Sequence, residues 1–285
     1  MDISHFAKTH ISQITATIGL VTYASARKKL TPGGILAGIF VAVIGHNAKS
    51  HLTQSSTGGT GGEGARRSAQ VFANSGFACL LILLHAWLLN STPFISSNVS
   101  LSAGPHLPAL QRLFPIGIIA QYAAVAADTF SSELGILSRG DPFMITAPWR
   151  KVPKGTNGGV SVDGLAYGVL GSLLLTLVAG AAVYLAPPKE VMDAKTAGLL
   201  VGAGLAGSVI DSVLGAVVQV TVTDKRSGKV VEGAGGQRVK VLPDGTRVQI
   251  GTDLLTNNGV NFVMAALASL LAMGVAHEFG LGLTS

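Results

Sequence analysis

Charge is what this sequence has least of. Only 12% of its 285 residues are Asp, Glu, Lys or Arg, about half the ~25% of a soluble globular domain. There is a single cysteine, Cys79. That excludes a disulfide framework, and within an apolar run the residue reads as a small buried hydrophobe. The seven histidines show no metal-ligand spacing, which argues against a zinc site. A cleaved leader is not expected either. His10 and Gln13 interrupt the first apolar run, and no small-residue cleavage site follows it.

What the chain has instead is apolar length. It is 48% hydrophobic with 37 glycines, and its mean hydropathy is +0.51. Apolar segments run over roughly 9–25, 33–47, 69–90, 112–137, 163–186, 196–221 and 258–280. A helix needs about 20 residues to cross a bilayer. The last five segments reach that length, the first is marginal and the second is too short. The expected fold is an all-α polytopic membrane protein of about six to seven helices, forming a single integral membrane domain over 1–285.

Lysine and arginine collect between the segments. The clusters are Arg27, Lys28 and Lys29; Lys49, Arg66 and Arg67; Arg139, Arg150, Lys151 and Lys154; and Lys225, Arg226, Lys229, Arg238, Lys240 and Arg247. Loop 91–111 has no basic residue, though it carries glycosylation-type triplets at Asn90 and Asn98. Basic loops stay in the cytoplasm. This puts 48–68, 138–162 and the polar loop at about 222–257 inside, and 91–111 and 187–195 outside. The basic residues thus set topology, and the lipid bilayer, not nucleic acid, is the expected partner. Upstream the rule conflicts with itself, because segment 33–47 has basic flanks on both sides. Either that segment is re-entrant or a crossing is missing near 47–52. In the last loop, "RVKVLPDGTRVQI" alternates apolar and polar residues about Pro-Asp-Gly, the pattern of a β-hairpin.

The polar residues inside the apolar segments carry the functional reading. In "AADTFSSELG", Asp128, Ser131, Ser132 and Gly135 share one helix face, while Glu133 points about 140° away. In "AGLAGSVIDSVLGAVVQV", Gly204, Ser208, Asp211, Gly215 and Gln219 form a similar stripe. Small residues let membrane helices approach closely, and an aspartate on such a stripe faces protein or a cavity, not lipid. The two segments read as a weak parallel repeat with Asp128 and Asp211 facing each other at similar depth. Arg66, Gln70 and Asn74 share a face, as do Asn258 and Asn261. The stretch "PWRKVPKGTNGGVS" offers glycine backbone and cations before a helix, a combination that suits a phosphate and equally suits a plain linker.

The motifs "GEGARRSAQVFANSG", "AADTFSSELGILS", "VPKGTNGGVSVDG", "GSVIDSVLGAVVQ" and "NNGVNF", in that order, resemble the integral membrane family of transmembrane protein 19 and the phytyl-phosphate kinases, over roughly residues 10–280. The resemblance implies an all-helical membrane fold. For the characterised branch it implies phosphoryl transfer from CTP or another nucleoside triphosphate to a membrane isoprenoid monophosphate. The departure is that "VIGHNAKSHLTQSS" runs where such proteins have a further helix. On this reading Asp128 and Asp211 hold Mg²⁺, with Lys154 beside them as a catalytic cation. Arg66, Arg67, Lys151, Asn74, Ser132, Gly155, Thr156, Asn157, Gly158, Gly159, Asn258 and Asn261 bind or orient phosphate. The alternative is a transporter or carrier of a lipid phosphate or small anion, and a third reading is a membrane scaffold. The expected location is a multi-pass position in an endomembrane.

Overall fold

The computed structural model describes residues 68–98, 106–185, 189–231 and 245–284. The expectations for segments 9–25 and 33–47, for Arg66 and Arg67, for the conflict near 47–52, and for most of the Pro-Asp-Gly hairpin fall outside these residues. Five helices carry the described chain: α1 Ser68–Asn98, α2 His106–Gly135, α3 Val162–Leu185, α4 Ala194–Val218 and α5 Asn257–Phe279. Each contains a window long and apolar enough to cross a membrane. Two expected boundaries move. Helix takes up both ends of the loop drawn at 91–111. The segment drawn to residue 221 leaves the helix at Val218, where Val-Gln-Val-Thr-Val turns from helical to strand-like β-branched alternation.

The centre of the bundle is α2, which packs against all four other helices. Its Ala120, Ala123, Ala124 and Ala127 are fully buried. Such short side chains leave room for a neighbouring backbone, and the neighbours supply glycine. A Cβ on Gly171 of α3 would stand 2.7 Å from Ala126 O, and one on Gly204 of α4 would stand 3.0 Å from Ala123 O. This is the small-residue packing that replaces the hydrophobic effect inside lipid. The outer faces stay apolar and exposed, with Leu83, Trp87, Leu173, Leu177, Leu270 and Leu271 among them. That is the surface a bilayer covers.

The contacts fix helix directions. Gly135 meets Gly164 and Ala127 meets Gly168, so α2 and α3 are antiparallel. Ser172 Oγ donates to Val201 O at 3.1 Å, and Gly168 lies near Leu205, so α3 and α4 are antiparallel as well. Therefore α2 and α4 run the same way. Ser269 Oγ of α5 donates to Gly117 O of α2 at 2.7 Å, and Met264 packs with Ala124, so α5 runs opposite to both.

Helix ends are closed locally. The Asp193 carboxylate caps α4 by accepting from Thr196 N at 2.8 Å, and its hydrogen bonds to Thr196 hold its pKa below the usual carboxylate value. Thr256 caps α5, and Gly280, at φ 61°, ends it in the left-handed conformation. Short strands lie at both ends of the bundle. β4 Val191–Met192 pairs with β7 Leu283–Thr284 at one end. At the other, β1 Phe143–Met144 lies between β2 Ala147–Lys151 and β3 Gly159–Val160. There too, β5 Val220–Asp224 pairs antiparallel with β6 Arg247–Gly251. The described partner of "RVQI" is thus "VTVTD", while the other arm of the expected Pro-Asp-Gly hairpin lies outside the described residues. On its other side β5 folds back through Thr223 and Val230. Asp224 accepts from Arg226 N and Ser227 N in that turn, which lowers its pKa.

The close seam makes a sharp prediction. A Gly204→Ala variant places its Cβ 2.6 Å from Ser172 Cβ and is expected to lower stability by about 1–3 kcal/mol through overpacking. Gly202→Ala meets nothing within 4 Å and should be neutral or gain up to ~1 kcal/mol of helix propensity. Thermal unfolding of both variants in detergent checks the contrast.

Candidate functional site

The polar side chains of α1, α2, α4 and α5 converge at the end that carries β1–β3 and β5–β6. Ala124 of α2 and Gly207 of α4 touch, with 3.2 Å between a Cβ built on Gly207 and Ala124 Cα. Asp128 and Asp211 each lie four residues further along these parallel helices. They therefore stand at one level, one turn beyond the contact. Both are half-buried. Helix register thus sets the two aspartates at a similar depth.

Asn261 of α5 links the cluster. In the orientation that suits its neighbours, its amide nitrogen donates to Asn257 O at 2.9 Å and to Asp211 Oδ2 at 3.3 Å. In the other orientation it donates to Asn74 Oδ1 of α1 at 3.4 Å. Asn74 is tied to α2 as well, because its backbone carbonyl accepts from Gln121 Nε2 at 2.9 Å. Gln121 lies two turns before Asp128 on α2 and is fully buried, with its Oε1 unpartnered among the described residues. Gln219, at the end of α4, donates a long bond to Asn257 Oδ1 at 3.5 Å. Asn258 is half-buried in the first turn of α5. Gln121 and Asn257 are new members of the site. Gln121 gives little signal as one amide in an apolar run, whereas Asn257 directly precedes the asparagine that the spacing singled out.

The stripe drawn on α2 divides. Ser131 and Gly135 face α3, where Ser131 O lies 3.3 Å from a Cβ built on Gly164. Ser132 is exposed, and its hydroxyl donates to Thr129 O of its own helix at 3.2 Å. Neither serine joins the Asp211–Asn261–Asn74 cluster through a hydrogen bond described here.

The glycine loop has local work of its own. Gly155 and Gly158 take φ of 83° and 78°. A Cβ on Gly158 would stand 2.8 Å from Ala216 Cα, so this position needs glycine to lie against α4. Asn157 donates from its backbone to Thr221 Oγ1 at 3.1 Å and from its amide to Val220 O at 2.8 Å. Thr156 N donates to Pro153 O, and Gly159 N to Thr156 O. Leu254 N and Leu255 N both donate to Val218 O at 3.0 Å. The two bonds to Val218 O serve the last carbonyl of α4, one that the helix itself leaves open. Lys154 donates to Ile136 O at 3.1 Å and to Ser138 O in the turn just past the end of α2, a favourable place for a cation. Ser138 in turn donates to Asp163 Oδ2 at 2.7 Å. Lys151, by contrast, is exposed on β2, 3.9 Å from Asp141.

The donor set suits a hard cation. Two carboxylates at one level are oxygen donors of the kind Mg²⁺ takes, and Mg²⁺ leaves its other positions to water and phosphate. No group of three or more His, Cys, Asp or Glu able to hold a metal occurs among the described residues.

The sequence itself matches a family description, Integral membrane protein DUF92, over residues 44–269. The chain belongs to the DUF92 integral membrane family. The DUF92 match spans the whole cluster from Asn74 to Asn261. Protein PGR of Arabidopsis thaliana is 36% identical over 215 residues, 73% of this chain and 68% of that protein. An uncharacterized membrane protein of Methanocaldococcus jannaschii is 40% identical over 104 residues, 36% of this chain and 40% of that protein. Protein VTE6, chloroplastic, of Arabidopsis thaliana is 30% identical over 84 residues, 30% of this chain and 25% of that protein. No solved structure matches the chain. This DUF92 chain is therefore a multi-pass membrane protein in contact with the lipid bilayer.

Two lysines of one loop are expected to behave differently. Lys154→Met removes charged hydrogen bonds to the end of α2 and should lower stability by about 1–3 kcal/mol without any ligand. Lys151→Met removes only an exposed pair and should change stability by less than ~1 kcal/mol. Thermal unfolding of the two variants in ligand-free detergent measures the difference.

Proposed function

We propose that the protein transfers a phosphoryl group from CTP or another nucleoside triphosphate to a membrane isoprenoid monophosphate. The observation that carries this reading is the level pair Asp128 and Asp211, with Asn261 and Asn74 beside it, at the loop end of the bundle. Support also comes from the resemblance to the transmembrane protein 19 and phytyl-phosphate kinase branch. The same reading puts the loops 136–161 and 219–256 in the cytosol and the protein in an endomembrane. In chemical terms, an oxygen of the isoprenoid monophosphate attacks the γ-phosphorus, and the bond to the β-phosphate oxygen breaks. The nucleoside diphosphate leaves. The attacking phosphate is largely ionised at neutral pH, since its second pKa is about 6, so no general base is required. The obstacle is repulsion between anions, and positioning and positive charge remove it.

Asp128 and Asp211 would hold Mg²⁺, which when bound neutralises the facing phosphates. Asn261 orients the Asp211 carboxylate and, with Asn74 and Asn258, offers amide N–H groups to phosphate oxygen. The apolar helix faces beside them accept the isoprenoid chain, while the loop end admits the nucleotide. Arg66 and Arg67 precede α1 in sequence and supply further positive charge. Lys154, Asn157 and the glycines at 155, 158 and 159 support the site by fixing the ends of α2 and α4. Lipid-phosphate transport fits less well. The five described helices run unbroken, and Asp128, Asp211, Asn74 and Asn261 lie toward one end, whereas transporter sites lie near the midplane between broken helices.

Asp128→Asn and Asp211→Asn should each lower turnover by ~10²-fold or more, the scale of losing one preorganised electrostatic partner, with folding retained. Glu133→Gln, on another face of α2, should lose far less. Transfer of labelled phosphate from CTP to a short isoprenyl monophosphate in detergent is the assay. Full activity in both aspartate variants would remove the carboxylate pair from the chemistry.

A further inference from the structure

Trp149 is 86% exposed at the middle of β2. Its neighbours Pro148, Arg150 and Lys151 are exposed too, as are Arg139, Gly140 and Asp141 just before β1. A tryptophan this exposed is a large apolar surface that no described residue covers. The nearby charge is net positive, with three cations against Asp141, whose contact with Lys151 is an exposed 3.9 Å pair. β2 is the outer strand of a sheet whose far strand, β3, ends two residues before α3 begins. Neighbouring strands lie about 4.8 Å apart, so β2 is within ~10 Å of the strand that enters the membrane helix. Of the lysines in this loop, Lys154 faces inward to helix carbonyls, whereas Lys151, with Arg150, faces out.

An amphipathic indole flanked by cations at the edge of a membrane bundle matches one partner by charge and by polarity. Tryptophan concentrates at the bilayer interface, and basic residues close to the membrane attract anionic headgroups. We propose that β2 is an anchor that lies on an anionic lipid surface, with Trp149 seated at headgroup level and Arg150 and Lys151 against lipid phosphates. The anchor does not depend on the proposed reaction. It fixes the height at which the loop between α2 and α3 rides over the bilayer.

The chain has two tryptophans, so Trp87→Phe, a change on an exposed face of α1, leaves Trp149 as the only indole. The full chain carrying this change is reconstituted in phosphatidylcholine vesicles with and without phosphatidylglycerol. Lipids brominated near the headgroup end of their acyl chains serve as quenchers. In the anionic vesicles the Trp149 emission should shift to the blue and be quenched, and high salt should weaken both effects. Adding Arg150→Glu and Lys151→Glu should remove the anionic increment, each cation being worth about a fivefold shift in surface occupancy. Emission that stays fully hydrated and unquenched in both vesicle types would overturn the proposal. Equal quenching with and without anionic lipid would overturn the headgroup contact.

Discussion

The structure depends on how closely α3 and α4 can approach α2. Lipid gives helices no hydrophobic reason to associate, so close contact between small residues takes over that role. The alanines of α2 and the facing glycines allow an approach that any larger side chain would block, and that approach permits only one axial register. With Ala124 against Gly207, the parallel pair α2 and α4 brings Asp128 and Asp211 level. α5 then runs back along both and delivers Asn261 to Asp211 and Asn74. Site geometry is a consequence of seam geometry.

Stability alone does not account for what the seam brings together. An aspartate within a membrane helix is costly, most of all at the bilayer centre, where insertion scales put the cost at about 2.5–3.5 kcal/mol. A hydrogen bond between membrane helices returns only about 0.6–2 kcal/mol. Asn261 offers Asp211 one such bond, and Asp128 stands at the same level. Buried Gln121 has an oxygen without a hydrogen-bond partner among the described residues. On the proposed reading, the charges of a bound ligand complete this cluster.

Much of this was legible in the sequence because it rests on composition and local spacing. Apolar length gave five of the helices, and the glycine stripe around Asp211 marked the packed face of α4. What escaped depends on partners distant in the chain. "KGTNGG" looks like a phosphate loop until Asn157 is seen to hold the Val220 carbonyl, 63 residues away. Lys154 looks like a free cation until the end of α2 is placed beside it. The apolar segment is drawn through Val220 and Thr221 because an apolar β-branched run fits either period, and only the pairing of Val220–Asp224 with Arg247–Gly251 decides between them. Ser131 and Ser132 shared a face on paper, but α3 takes one and leaves the other outside.

The central claim is that Asp128 and Asp211 form one cation site at the level set by the α2–α4 seam. Mn²⁺ can stand in for Mg²⁺ and be counted by electron paramagnetic resonance as it titrates onto purified protein in the presence of a short isoprenyl monophosphate. The account expects saturable binding by the unaltered chain and loss of that binding in the doubly substituted Asp128→Asn, Asp211→Asn protein, with the fold intact. Undiminished saturable binding in the doubly substituted protein would contradict it.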